Sequence, residues 1–282
     1  MLVPKVVQAG EGLINDINGA SVRDGEVGIW WLGQNSFAIK CTSAVVYTDP
    51  YLSSNPHRLI PPPVNPDEVT NADIITCSHD HSDHIDPLTI PRLAEASPNA
   101  RFVIPRATVR RLLELGVPEE RLIPMNDGSE VELCGIRVWA IKARHERFDE
   151  HPQHGFPYLS YVFDMSGVRI YHAGDGIPYE GLISALRGYK PDIMLMPING
   201  RDGERYRRNC IGNFTFQEAG DIAADAGARV VIPMHWGMFA DNNEDVLKFV
   251  DYVTARYGNL SVKVLAIGER FIYSASDSPL GL

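Results

Sequence analysis

The segment Ser78-His79-Asp80-His81-Ser82-Asp83-His84 gathers residue types that bind metal ions. In an extended backbone, His79 and His81 point to the same side, and a turn just beyond them can bring Asp83 and His84 to a neighbouring point. Such an arrangement suits two divalent cations about 3.5–4 Å apart. The alternative interpretation is a surface loop in which these residues only favour turn conformations.

A pair of cations needs more ligands than this one loop supplies. Three later β-like runs each end in a suitable residue, namely His145, Asp175 and His235. Ligands at strand ends are physically sensible, because strands fix position while loops provide reach. Taken singly, His145 or His235 is more often a core or surface histidine. We predict two groups of ligands, bridged by Asp175: His79, His81 and His145 around one cation, and Asp83, His84 and His235 around the other.

This donor set defines the chemistry that we expect. Imidazole nitrogens and carboxylate oxygens suit Zn²⁺, and the carboxylates also permit Mn²⁺ or Fe²⁺. A bound metal ion lowers the pKa of its water from about 16 to about 7, so a metal-bound hydroxide could attack a substrate carbonyl at neutral pH. Asp83 and Asp175 are the predicted catalytic residues. The sequence contains no G-x-S-x-G stretch that would supply a serine nucleophile instead.

The elements that must position these residues follow from the apolar pattern. Runs rich in β-branched and aromatic residues predict strands at 27–32, 37–40, 44–48, 74–76, 101–104, 136–143, 158–164, 168–171, 193–196, 230–232, 263–266 and 271–273. Helical spacing of apolar residues occurs at 109–115, 182–186, 215–226 and 246–257. Many early strands followed by strand–helix alternation predict an α/β fold with two β-sheets between helices. We expect one domain over residues 1–282.

The ligand pattern resembles that of the metallo-β-lactamase superfamily. The resemblance rests on His79-x-His81-x-Asp83-His84, followed by His145, Gly174-Asp175 and His235. It implies the metallo-β-lactamase fold, which is an αββα four-layer sandwich with a dinuclear metal site between its halves.

Further similarity, from about residue 28 to 250, points to the branch that contains bacterial L-ascorbate-6-phosphate lactonase. It is carried by Trp31-Leu32-Gly33-Gln34-Asn35-Ser36-Phe37, Tyr47-Thr48-Asp49-Pro50, the stretch 79–86, His172-Ala173-Gly174-Asp175, Pro197-Ile198-Asn199-Gly200-Arg201-Asp202 and Pro233-Met234-His235-Trp236-Gly237-Met238-Phe239. The similarity to this branch adds weight to Mn²⁺ as the resident cation.

Two further residues could support the ligands from behind. Asp49 resembles the acid with which the superfamily accepts the free N–H of a ligand histidine. The alternative is an aspartate that only forms the turn before Pro50. His172 could act in the same way, although a buried structural histidine fits its position better.

One cationic segment, residues 201–209, could contact a substrate. Because guanidinium groups bind phosphate in a bidentate manner, we expect one or two of these arginines to hold a substrate phosphate or carboxylate. The alternative is a solvated loop with Arg–Glu pairs. The candidate substrate-binding residues are Asn199, Arg201, Arg205, Arg207, Arg208 and Asn213, and Tyr158 and Tyr206 are further pocket candidates.

Composition limits the classes of partner. The chain has 282 residues, and 26 Lys+Arg against 36 Asp+Glu give a formal charge of 26 − 36 = −10, which disfavours nonspecific nucleic-acid binding. No apolar run approaches the roughly 18 residues of a membrane span, and the N-terminus lacks a signal-peptide pattern. Four scattered cysteines indicate reduced thiols and a cytoplasmic location. We expect a small anionic substrate as the partner and leave a homo-oligomer open.

Three functions compete at this stage. The favoured one is a metal-dependent hydrolase that opens a small anionic lactone or ester, with or without a phosphate. The second is a metallo-phosphodiesterase acting on a nucleotide or nucleic-acid end, because the same dinuclear site serves phosphorus equally well. The third is a non-enzymatic metal-binding regulatory protein, against which the complete ligand set argues.

Overall fold

The structure is a computed structural model that describes residues 2–145 and 148–277. In this part of the chain, fourteen strands form two seven-stranded sheets. The first sheet contains β1 (Glu26–Gly33), β2 (Ser36–Lys40), β3 (Val45–Thr48), β4 (Ile74–Thr76), β5 (Arg101–Pro105), β6 (Leu122–Met125) and β14 (Arg270–Ser274). The second contains β7 (Glu130–Leu133), β8 (Ile136–Lys142), β9 (Leu159–Met165), β10 (Val168–His172), β11 (Ile193–Pro197), β12 (Val230–Met234) and β13 (Ser261–Val262).

Both sheets are mixed. The first has the order β14-β1-β2-β3-β4-β5-β6, and it is antiparallel up to β3 and parallel from β3 to β6. The second has the order β13-β12-β11-β10-β9-β8-β7, with the pairs from β7 to β10 antiparallel and those from β10 to β13 parallel.

Helices cover the outer face of each sheet. They are α1 (Gly10–Gly19), α2 (Ile90–Ala96), α3 (Val109–Glu114), α4 (Leu182–Tyr189), α5 (Gly203–Arg207), α6 (Phe216–Ala226) and α7 (Val246–Arg256). A capping box of Thr215 and Glu218 starts α6, because the two side chains bond each other's backbone N–H groups at the first turn. Within the described residues, none of the helices has the length and apolarity needed to span a bilayer.

Strand β1 shows why the architecture has four layers. Val27, Ile29 and Trp31 belong to a first core, which fills the space between the sheets and continues to the helices beyond the second sheet, whereas Trp30 and Leu32 belong to a second core. The second core also contains the apolar faces of α1, α2 and α3, and the first contains those of α4, α6 and α7. Because successive side chains of a strand point to opposite faces, both faces of this sheet are buried. The predicted αββα sandwich is therefore confirmed.

The register of the parallel strands brings the predicted ligands to one edge of the sandwich. Thr48 at the end of β3 pairs with Thr76 at the end of β4, so the residues that follow each strand are neighbours. In the second sheet, β10, β11 and β12 run in parallel, and Pro197 pairs with Met234. The carboxyl ends of parallel strands share one edge, which is the usual place for a site in such sheets.

One predicted strand is wrong. Residues 263–266 lie outside any strand, and the edge strand β13 comes just before them and pairs only with the start of β12. The chain turns here because the Glu269 side chain accepts a hydrogen bond from the backbone N–H of Ala266, while the backbone N–H of Glu269 donates to the Ala266 carbonyl. A local turn thus overrides the β-propensity of this apolar run.

Candidate metal centre

The seven predicted ligands form two adjacent groups. Within each group, one potential ligand atom per residue lies within 4.8 Å of all the others. The groups are His79, His81, His145 and Asp175 in the first, and Asp83, His84 and His235 in the second. His81 and Asp83 are half-buried and the other five are buried. The structure therefore brings together seven side chains that are spread over 157 positions of the sequence, from residue 79 to residue 235. They form two sets that each have the composition of a metal site.

Asp175 lies between the two groups. Its Oδ2 atom is 3.5 Å from His84 Nε2 and 3.6 Å from His145 Nε2, and its Oδ1 atom is 3.4 Å from His235 Nε2. Ligand atoms on a tetrahedral cation with bonds of about 2.0–2.2 Å lie roughly 3.3–3.6 Å apart. These separations thus fit a carboxylate that faces both positions.

Asp49 fixes the orientation of His84. Its Oδ2 atom accepts hydrogen bonds from His84 Nδ1 at 2.7 Å and Ser78 Oγ at 2.6 Å, and its Oδ1 atom accepts from the Ser78 backbone N–H at 2.6 Å. Since a carboxylate accepts, the hydrogen of His84 resides on Nδ1. In the neutral form of His84, which is the form that can bind a cation, the Nε2 lone pair faces Asp83 and Asp175, at 3.7 and 3.5 Å.

Gln34 and Asn35 also contact the ligands, and no role was predicted for either. Gln34 Nε2 donates to Asp83 Oδ2 at 2.9 Å and lies 3.2 Å from His235 Nε2, and Asn35 Nδ2 donates to Asp175 Oδ1 at 2.8 Å. Both residues are almost fully buried. The signal for these two residues in the sequence is a polar pair between two apolar strands. Polar side chains are mostly exposed, so a buried pair at this place indicates a polar site.

His172 contacts the backbone of Asn35 and none of the candidate ligands by a hydrogen bond among the described residues. Its Nε2 atom donates to the backbone carbonyl of Asn35 at 2.8 Å, and its ring packs edge-on against Phe37. The histidine is fully buried at the end of β10 and supports the turn that carries Asn35.

Burial keeps the three histidines of the first group neutral. It lowers the pKa of His79 and His81 and lowers the pKa of His145 to about 4. Neutral imidazole is the form that binds a metal ion. These three histidines therefore need no deprotonation before they bind a cation.

The carboxylates around the second group favour a positive charge on its histidines. Burial alone would lower the pKa of His84 and His235, but the Asp175 and Asp83 carboxylates outweigh it and raise both. Burial would likewise raise the pKa of Asp175, yet His235 and His84 hold it well below its usual value. Buried carboxylates require a nearby cation, and among the described residues protons on His84 and His235 provide it in the protein alone.

The residues present fit a metal ion. His84 Nε2 is buried without a hydrogen-bond partner among the residues that the structure describes. Buried polar atoms in proteins are nearly always hydrogen-bonded, or else they contact an ion or a water. The donor set of imidazole nitrogens and carboxylate oxygens suits Zn²⁺, Mn²⁺ or Fe²⁺.

The predicted substrate arginines mostly make contacts within the protein. Arg201 forms a bidentate ion pair with Glu218, with both N–O distances at 2.6 Å. Arg205 donates to the backbone carbonyls of Asn199 and Asn243 and pairs with Asp202, and Arg208 approaches Asp241. Arg207 is exposed, and no hydrogen bond or ion pair links its guanidinium to another described residue. Substrate binding by these four residues stays a prediction.

The other candidate residues divide into buried and exposed ones. Asn213 accepts from the Gly176 backbone N–H at 3.0 Å and donates to Asn199 Oδ1 at 3.1 Å, and both asparagines are fully buried. They therefore hold the loop that follows Asp175. The Tyr158 ring lies 5.3 Å from that of His79, whereas Tyr206 is 69% exposed.

Comparison with known proteins places this geometry in a family. A model described as a β-lactamase superfamily domain matches residues 45–236, which contain all seven candidate ligands. A UPF0173 protein of Pyrococcus furiosus is 30% identical over 220 residues, covering 78% of this chain and 88% of that protein. A UPF0173 metal-dependent hydrolase of Caldivirga maquilingensis is 30% identical over 248 residues, covering 85% and 95%.

A solved structure shows the same fold. Igni18, a metallo hydrolase from the archaeon Ignicoccus hospitalis, has a TM-score of 0.70 and 23% identity, covering 88% of this chain and 99% of that one. The resemblance to the lactonase-containing branch stays a prediction. The chain belongs to the metallo-β-lactamase superfamily and, within it, to the UPF0173 family of metal-dependent hydrolases.

Proposed function

We propose that this chain hydrolyses a small anionic lactone or ester with two divalent cations held by the seven clustered side chains. The observation that carries the proposal is the position of Asp175, whose two oxygens lie 3.4–3.6 Å from ligand nitrogens of both groups. A carboxylate placed in this way would help to hold two cations that act on one substrate.

Bound cations would acidify a water molecule and polarise the carbonyl that it attacks. The protein's part is to fix both positions. Asp49 orients His84 through Nδ1, and Asn35 holds the Oδ1 atom of Asp175. Such contacts behind the ligands set the tautomer and the direction of each lone pair.

Asp83 is the proposed proton carrier. Its side chain is 24% exposed, against 6% for Asp175, so of these two carboxylates it is the one that a substrate can approach more readily. Gln34 hydrogen-bonds Oδ2 and leaves Oδ1 available. Oδ1 would take a proton from the attacking water and return it to the leaving oxygen, as general acid–base catalysis requires.

Charge supports an anionic substrate. With neutral histidines, Asp49, Asp83 and Asp175 contribute −3, and two divalent cations contribute +4, so the filled site carries about +1. A local positive site of this kind attracts anions even though the whole chain carries −10. The proposal for the substrate's charge therefore does not depend on the arginine loop.

The test combines metal content with a substrate panel. Purified protein is analysed for metal by mass spectrometry, stripped with a chelator, and reloaded with Mn²⁺ or Zn²⁺. We expect two ions per chain and metal-dependent opening of an anionic lactone or ester. Cleavage of bis-p-nitrophenyl phosphate alone would assign the phosphodiesterase function instead. Two ions with no hydrolysis of any substrate would favour the regulatory alternative.

A further inference from the structure

Gln34 is held rigidly beside the second group of ligands, the one formed by Asp83, His84 and His235. It lies in the tight turn between β1 and β2, is 1% exposed, and has a left-handed backbone with φ of 50°. Its carbonyl accepts hydrogen bonds from Trp31 Nε1 at 2.9 Å and from the backbone N–H of His235 at 3.1 Å. A glutamine rarely adopts this conformation, and unfavourable backbone geometry concentrates at functional sites.

The side chain of Gln34 contacts only one of the two groups. Its amide nitrogen lies 2.9 Å from Asp83 Oδ2 and 3.2 Å from His235 Nε2. In the described part of the chain, it makes no hydrogen bond to His79, His81 or His145 of the first group. Any effect of Gln34 on cation binding should therefore fall on the second position.

The amide can present either of two atoms to this position. A half-turn about its last bond exchanges Nε2 and Oε1, and the two orientations are nearly equal in shape. Without a cation, the nitrogen is the favourable atom, because it donates to the Asp83 carboxylate. An oxygen at the same place would repel that carboxylate unless a cation lay between them.

We propose that Gln34 is a further protein ligand of the second cation position. The same side-chain amide would occupy this position by hydrogen bonding when no cation is bound. Nε2 faces Asp83 and His235 in the empty state, and Oε1 faces the cation in the filled state. This inference rests on the two-cation site proposed above. It also makes the second position richer in oxygen than the first, and oxygen-rich positions suit Mn²⁺ better than imidazole-rich ones do.

The experiment is a calorimetric titration of metal-free protein with Mn²⁺ and separately with Zn²⁺. The variants are Gln34→Glu and Gln34→Met, which keep the length of the side chain. Gln217→Glu is the matched control, since Gln217 is exposed on α6, outside both groups of candidate ligands, and its change adds the same charge. Circular dichroism checks that each variant is folded.

We expect Gln34→Met to bind the second ion at least about 10-fold more weakly and Gln34→Glu to bind it at least about 10-fold more tightly, with the first ion unchanged. Gln217→Glu should match the wild type. If Gln34 only donates to Asp83, then Gln34→Met removes a hydrogen bond that competes with the cation for the Asp83 carboxylate, so the second ion binds at least as tightly as in the wild type. That result, or wild-type binding by both Gln34 variants, would overturn the inference and leave the two-cation proposal intact.

A measurement on the unaltered protein covers the case in which neither variant folds. The side-chain amide resonance of Gln34 is followed by ¹⁵N NMR during titration with diamagnetic Zn²⁺. Turning of the amide removes its hydrogen bond to Asp83, so its resonance should move during the equivalent that fills the second position and not during the other. A resonance that stays in place through both equivalents would refute the inference, and wild-type protein that binds fewer than two ions would refute both proposals.

Discussion

The ligand cluster and the arginine loop are both rich in charged side chains, but the fold treats them in opposite ways. In the cluster, nitrogen and oxygen atoms of seven residues face one another at 2.9–3.9 Å, and His84 Nε2 has no hydrogen-bond partner among the described residues. In the loop at residues 201–208, three of the four arginines already bind carboxylates or backbone carbonyls. The difference teaches that a cluster of charged residues marks a binding site where at least one buried polar atom is left without a partner in the fold.

The loop still matters to the cluster through its shape. Arg205 joins the carbonyl of Asn199 to that of Asn243, and Asn243 Oδ1 accepts from the backbone N–H of Gly237, two residues after His235. The arginine therefore connects two loops that follow neighbouring strands of the second sheet. Substitutions in the two regions should consequently fail in different ways, the cluster in chemistry and the loop in stability.

Asp175→Asn should have the largest effect, because it removes the one charge that both groups of ligands share. Asparagine keeps the shape and the contact with Asn35 but leaves the buried charge of the histidines uncompensated. We expect kcat/KM to fall by at least about 10³-fold and the metal content to drop below two ions per chain. Kinetics and metal analysis measure the two effects, and circular dichroism checks the fold. Near-normal turnover would contradict the assignment of Asp175 as the bridging ligand.

The proximity of the seven candidate ligands could be predicted from the sequence because its signals are local. The loop 78–84 contains four ligands, and His145, Asp175 and His235 each follow an apolar run, so strand ends could be recognised one at a time. The roles of Gln34 and Asn35 could not be found in this way. Their partners, Asp83 and Asp175, lie 49 and 140 positions further along the chain, and only the paired strands bring them together.

The limits of the fold prediction have the same origin. The four-layer arrangement follows from which apolar runs exist, and it was predicted correctly. Helix α1 was not predicted, because its sequence GEGLINDING is rich in glycine and asparagine, which disfavour helix, and packing of Leu13 and Ile17 stabilises it instead. The ion pairs of the arginine loop depend on Glu218 and Asp241, whose positions the local sequence does not reveal.

Asp49→Asn should have the next largest effect on the cluster. The asparagine can no longer accept from both Ser78 and His84 with a full negative charge, so His84 loses its fixed tautomer. We expect metal affinity to weaken by about 10- to 100-fold, while the global fold is retained. Calorimetric titration measures the affinity, and Asp251→Asn, at an exposed position of α7, serves as the matched control. Unchanged affinity would mean that Asp49 only shapes the turn before Pro50.

Arg205→Ala tests the stabilising role of the loop. It removes hydrogen bonds to two backbone carbonyls that join the loops on either side, so we expect the free energy of unfolding to fall by about 1–3 kcal/mol. KM should stay at the wild-type value, since the guanidinium already has its partners. Urea unfolding and steady-state kinetics measure the two quantities on the same preparation. A raised KM with unchanged stability would assign Arg205 to the substrate and reverse the comparison.

Arg207→Ala should have the smallest effect. It tests whether the comparison between the ligand cluster and the arginine loop also holds within the loop. Of the four arginines in the loop, Arg207 is the one whose guanidinium has no ion-pair or hydrogen-bond partner among the described residues, so it is the one that the fold leaves available to an anion. Because an exposed ion pair contributes about 0–1 kcal/mol, we expect KM for a phosphorylated substrate to rise by no more than about fivefold, with kcat and stability unchanged. Arg201→Ala and Arg208→Ala, measured beside it, should leave KM unaltered. If either of them raises KM more than Arg207→Ala does, partners within the fold do not prevent an arginine from binding substrate, and the criterion drawn from the two regions is wrong.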